Sequence, residues 1–121
     1  MLTERRKYQR YPLTLTTQKT EENGTVTELR ILEMSVGGCF LQWFAGAELG
    51  DNFRLKIPLL NRNFLPVFCK VIYRFPNKGI GIKFVNLTKF EQDLIAEIIF
   101  AHVRNENLAT QKSLELTDSF R

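Results

Sequence analysis

The chain has 121 residues, 44% hydrophobic and 25% charged, a size that closes one core and is too short for two. Ten Phe, three Tyr and one Trp against seven Gly and four Pro exclude wholesale disorder, and no apolar run approaches the roughly 20 residues that span a bilayer. The formal charge of +4 is concentrated at one end, where Arg5, Arg6, Lys7 and Arg10 stand against Glu4, which favours a local anion over a protein-wide nucleic-acid footprint.

The start lacks the apolar segment and cleavage site of a secretory signal, so a cytoplasmic location is expected. Leu13 and Leu15 alternate with Thr14 and Thr16, a half-buried first strand that begins after residue 10. Asn23-Gly24 marks a turn in which both residues tolerate positive φ, within a loop longer than two residues. Val26, Leu29 and Ile31 mark a second strand, and the broken alternation between Val26 and Leu29 is compatible with a bulge. After Met34-Ser35-Val36-Gly37-Gly38, residues Cys39 to Trp43 read as a short third strand.

Phe53, Leu55 and Ile57 alternate with Arg54 and Lys56 until Pro58 ends a fourth strand. A fifth covers Leu65 to Phe75, with Val67, Cys69, Val71 and Tyr73 on one face and Phe68, Lys70, Ile72 and Arg74 on the other. Pro76-Asn77-Lys78-Gly79 leads into a sixth, Ile80, Ile82 and Phe84. Six short strands at this spacing predict a small antiparallel barrel or sandwich. Thr88 and Glu91 then form a capping-box pattern, and Phe90, Leu94, Ile95, Ile98 and Ile99 recur at helical spacing as far as about Asn105, an amphipathic helix that packs on the strands. The expected organisation is a single domain over 1–105 (leader 1–10, strands 11–85, helix 88–105) and a polar tail over 106–121. Cys39 and Cys69 have no metal-ligand spacing and read as small buried hydrophobes.

Two stretches stand out, "RRKYQR" before the first strand and "EMSVGG" (33–38) after the second. If the first two strands pair antiparallel, both emerge at one end of the sheet and form one candidate pocket. Arg6 and Arg10 each offer a planar fork of donors that holds phosphate oxygens, grips the O6/N7 edge of guanine or stacks on a base. Ser35 adds a hydroxyl, Gly37 and Gly38 unshielded backbone, and Glu33 an acceptor for the N1–H and 2-amino group of guanine. This chemistry suits a guanine nucleotide.

Arg6-xxx-Arg10 followed by Glu33-x-Ser35-x-x-Gly38 resembles the paired motifs RxxxR and [D/N]xSxxG of the PilZ domain family. The Gly79-Ile80-Gly81-Ile82-Lys83-Phe84 strand is similar to the family's "GxGxxF" ending. The resemblance implies a mainly β fold, a six-stranded antiparallel β-barrel with a C-terminal helix, and a receptor for cyclic di-GMP with no cofactor. It implies that Arg6 and Arg10 clasp phosphates and guanine Hoogsteen edges while Glu33, Ser35, Gly37 and Gly38 line the barrel side. A basic residue before the first motif arginine, here Arg5, implies a stacked pair of ligands. Glu33 departs from the family's Asp or Asn by one methylene, and a misplaced charged hydrogen bond of roughly 1.5–3 kcal/mol weakens binding by about one to two orders of magnitude.

Trp43 reads as a core or rim aromatic and Arg74 as a surface cation. His102, the single histidine, suits a packing role near the helix end. With no Ser/His/Asp set, Cys/His pair, metal-ligand cluster or P-loop in the sequence, a non-catalytic protein is expected. Its partners would be cyclic di-GMP and an unidentified downstream protein, with homodimerisation open. The competing readings are a PilZ-like adaptor that binds no cyclic di-GMP, related to type IV pilus assembly, and, more remotely, an oligonucleotide-binding barrel.

Overall fold

Along β1 (Tyr11–Thr20), Leu13, Leu15 and Thr17 are buried while Thr14 and Thr16 are exposed, the period-two pattern of a strand with one wet face. The pattern recurs in β2 (Val26–Ser35), β4 (Asn52–Pro58) and β5 (Phe64–Phe75), whereas β3 (Gly38–Leu41) and β6 (Gly79–Val85) are buried on nearly every residue. The structure, a computed structural model, describes residues 9–119, with side chains described over 9–104. The strands close a barrel in the order β1-β2-β3-β6-β5-β4, every pair antiparallel, and Gln18–Thr20 against Arg54–Lys56 seals it. Closure gives every strand two neighbours, although only the last three residues of β1 pair with β4.

Leu29, Ile31, Met34, Leu41, Leu55, Ile57, Val67, Val71, Ile80 and Ile82 fill the interior. Cys39 and Cys69 are free thiols buried among them, as their isolation predicts. Glu21–Thr25 connects β1 to β2. Gly24 takes φ 88° there, and Asn23 Oδ1 accepts from the Thr25 amide at 2.9 Å, so only the glycine uses the left-handed region.

Three bulges are set by the register, and none lies between Val26 and Leu29, where pairing with β1 is regular and Val26 is simply exposed. One residue is extra in β1 between Pro12 and Leu15, one in β2 between Ile31 and Glu33, and one in β5 between Val71 and Tyr73. The last reverses a sequence expectation. Tyr73 pairs with Gly81 rather than continuing the inward series Val67, Cys69 and Val71, so its ring lies on the outer face. The third strand is also shorter than its apolar run, because it ends at Leu41 and Trp43 packs against the core from the following connection.

The capping box forms in full: the Thr88 amide donates to Glu91 Oε1 at 2.9 Å and the Glu91 amide to Thr88 Oγ1 at 3.1 Å. Helix α1 (Lys89–Ser119) packs on β1 and β2 through Ile95, Ile98 and Ile99. Phe90, expected on that face, is exposed, because burial begins one turn later. The helix runs past Asn105, where the apolar period fades, and no Gly or Pro follows Lys89 to stop it.

Candidate functional site

The "EMSVGG" stretch ends β2 and turns through Val36 and Gly37 into β3. Ser35 pairs with Gly38, and its buried hydroxyl accepts from the amides of Gly37 and Gly38, both at 3.2 Å, while donating to the Gly38 carbonyl at 3.3 Å. Ser35 therefore builds the turn, and the amides that the sequence reading offers to a ligand bond to the serine instead. Gly38 serves a different end. A Cβ there would lie 2.1 Å from the Ile82 carbonyl oxygen, so only a hydrogen fits where β3 meets β6.

Arg10 stands just before β1, and the pairs Tyr11–Met34 and Pro12–Glu33 bring it beside the end of β2, as an antiparallel first hairpin requires. Its Nη1 lies 3.5 Å from Glu33 Oε1 and donates to the Tyr73 hydroxyl at 2.6 Å, while its guanidinium carbon sits 5.7 Å from the Tyr73 ring centroid. Partial burial opposes the charge, but Tyr73 and Glu33 outweigh it and hold the Arg10 pKa above its ordinary value. The cation is permanent. Arg5 and Arg6 lie outside the described residues.

Tyr73 was not among the residues the sequence singled out, and two local features place it. The β5 bulge turns it outward, and Gly81 opposite has no side chain, so the ring lies against β6, where a Cβ on Gly81 would come within 2.2 Å of it. Phe40 lies over Gly79 in the same way, at 2.3 Å from the Cβ position. Phe40 stacks with Tyr73 at 6.2 Å between centroids, and Phe75 meets Tyr73 edge-on at 5.4 Å. Glu33, Phe40, Gly81 and Tyr73 are successive register partners across β2, β3, β6 and β5. They form one transverse row on the outer face: an acceptor, an aromatic platform and, at its end, the Arg10 fork. The sequence signal was Gly79-x-Gly81, two missing side chains on the outward face of a strand.

Other candidates lie elsewhere. Arg74 donates to the Ala47 carbonyl at 2.6 Å and lies 3.7 Å from Glu48 Oε2, tying down the β3–β4 connection rather than joining Arg10. His102 is half-buried on the helix. A cleft of about 1030 Å³ opens beside the β1–β2 turn, lined by Lys19, Glu21, Phe44, Phe53, Arg54 and Phe68 among others. There the buried Lys19 ammonium pairs with Glu21 and lies 5.1 and 5.3 Å from the Phe44 and Phe53 centroids, a cation its own chain satisfies.

A family model for the PilZ domain matches residues 4–101, and the chain belongs to the PilZ domain family. It superposes on the PilZ domain of YcgR from Escherichia coli, solved with c-di-GMP, with a TM-score of 0.72 at 16% identity, covering 90% of this chain and 99% of that one. Escherichia coli YcgR in complex with c-di-GMP gives a TM-score of 0.72 at 17% identity, covering 92% of this chain and 51% of that one. The Bacillus subtilis inhibitor of motility MotI/DgrA gives 0.67 at 19% identity, covering 85% and 53%. The chain thus spans about half the length of the last two. No curated protein matches the sequence. Among the described residues no helix is long and apolar enough to cross a membrane, and no three His, Cys, Asp or Glu residues gather as metal ligands.

Proposed function

We propose that this protein is a non-catalytic receptor for cyclic di-GMP, which lies along the outer row from Glu33 to Tyr73 under the basic leader. The observation that carries the reading is the convergence of Arg10, Glu33 and Tyr73 on one face, within 3.5 Å of the arginine, from three separate segments. Arg10 has five N–H donors and the Tyr73 hydroxyl takes one, so donors remain for a phosphate or a guanine O6/N7 edge. Phe40, Tyr73 and Phe75 provide a surface on which a purine stacks. Glu33 accepts from the guanine N1–H and 2-amino group once it lets go of Arg10.

In this reading Arg5 and Arg6 approach from the leader, Arg6 as the second clasp and Arg5 as the residue that admits a second, stacked ligand. Ser35, Gly37 and Gly38 act by shaping the turn beneath. Ligand draws the leader across the row and so alters the face offered to a downstream protein. The reading is tested by calorimetric titration with cyclic di-GMP, GTP serving as control: binding that survives both Arg6→Ala and Arg10→Ala removes it, and saturation at one ligand per chain removes the role given to Arg5.

The Arg10–Glu33 ion pair favours one second reading, an adaptor in which Glu33 retains the arginine and no nucleotide binds. Glu33→Asp separates the two, since a receptor gains affinity on releasing Arg10 and an adaptor stays silent.

A further inference from the structure

The outer face of β4 and β5 carries a feature that the site above does not use. Phe64, Pro66, Phe68 and Lys70 alternate outward along β5, and the two phenylalanines remain 45% and 59% exposed. Their neighbours across β4 are Pro58, Lys56, Arg54 and Asn52, and across β6 Lys70 pairs with Lys83. Arg54, Lys56, Lys70 and Lys83 are exposed, and among the described residues none of them has a carboxylate partner. The Arg54 guanidinium lies 4.8 Å from the Phe68 centroid, a cation resting on an aromatic face rather than on an anion. An apolar centre within a rim of one sign of charge has the anatomy of a protein interface, with Phe and Arg the residue types that anchor such contacts.

We propose that this face, from Phe64 to Lys83, is a docking surface for an acidic protein segment bearing apolar side chains. Four unmatched cations repel a second copy of the same face. The cleft that Arg54 and Phe68 border is lined also by the carboxylates Glu21, Glu22 and Asp51, which repel a nucleic-acid strand, and Phe68, Lys70 and Lys83 sit within strands rather than at loop tips that dip into a bilayer. The surface has a defined limit, because beyond Arg54 the carboxylates Glu21, Glu22 and Asp51 collect around the cleft. At its other end Lys83 pairs with Gly38, so the patch runs up to the turn that Ser35 builds. That the bound segment belongs to the receptor's downstream partner rests on the function proposed above; the surface itself stands on its own residues.

The test uses the full chain and a fluorescein-labelled peptide of alternating glutamate with leucine or phenylalanine, read by polarisation. Saturable binding that falls at high salt, and falls about tenfold or more in Lys56→Glu and in Phe68→Ser, is expected. Absence of saturable binding, equal binding by these variants, or preference for phosphatidylglycerol vesicles or oligo(dT) overturns the proposal. Circular dichroism verifies the fold, and Phe64→Ser replaces Phe68→Ser if that variant fails to fold. Cyclic di-GMP titration of the parent chain beside the peptide titration separates the two claims: nucleotide binding without peptide binding sinks the surface alone, and peptide binding without nucleotide binding sinks the receptor alone. Lys56→Glu is expected to lose the peptide and keep the nucleotide affinity of the parent.

Discussion

The Arg10 guanidinium donates to the Tyr73 hydroxyl at 2.6 Å across 63 positions of sequence, joining the segment before the first strand to the outward side of the fifth. Removing the hydroxyl and keeping the ring isolates this bond. Tyr73→Phe is expected to lower unfolding free energy by about 1 kcal/mol, below the roughly 1.5–3 kcal/mol of a buried charged hydrogen bond because the site is only partly buried. Urea denaturation measures it.

Gly81 and Gly38 look interchangeable in sequence and are not. At Gly81 the obstacle to a Cβ is the movable Tyr73 ring, at Gly38 the Ile82 backbone carbonyl. Gly81→Ala is therefore expected to keep the fold while pushing Tyr73 off the row and weakening cyclic di-GMP. Gly38→Ala is expected to cost roughly 3 kcal/mol by forcing β3 from β6. Thermal unfolding beside titration distinguishes them, and equal stabilities would contradict the account.

Ser35→Ala leaves the Gly37 and Gly38 amides without their acceptor. A loss of about 1–3 kcal/mol in stability is expected, with any loss of nucleotide affinity tracking the loss of fold. A Ser35→Ala protein of unchanged melting temperature that no longer binds would instead make the hydroxyl a direct ligand contact.

The two buried thiols give a pH dependence. Burial pushes the Cys69 thiol from 9.0 up to about 12, and burial, with Cys69 nearby, raises Cys39 well above its ordinary value. Between 9.0 and about 12 the unfolded chain holds fewer thiol protons than the folded one, so stability falls as pH rises through that window and is unaffected by these groups below it. Alkaline unfolding of a Cys69→Ala variant checks the sign. Both thiols should resist iodoacetamide at neutral pH until the protein unfolds.

Much of this was legible beforehand, for reasons that particular residues make plain. Alternation in Leu13, Leu15, Leu55 and Ile57 gave the strands, and Thr88 with Glu91 gave the start of the helix, because each signal is local. That the segment with Arg10 emerges at the same end of the sheet as the stretch with Glu33 followed from hairpin topology, whereas the ion pair between them did not, because Glu33 was read as an acceptor for guanine. Tyr73 was misplaced because a bulge adds one residue without a sequence mark, and a period-two count carried past it assigns every later side chain to the wrong face. Ser35 was read for its chemistry, whereas its bonds to Gly37 and Gly38 depend on how tightly the turn closes. Phe90 continued the helical period but lies a turn before the barrel reaches the helix.

The central claim is that Arg10, poised between Glu33 and Tyr73, grips cyclic di-GMP on the outer face of the barrel. Calorimetric titration of cyclic di-GMP into the full chain and its Arg10→Ala variant tests it most directly. The account predicts saturable heat for the parent, at least about a tenfold loss of affinity in the variant and no heat with GTP. Equal affinities in parent and variant, or no binding by the parent, would contradict it.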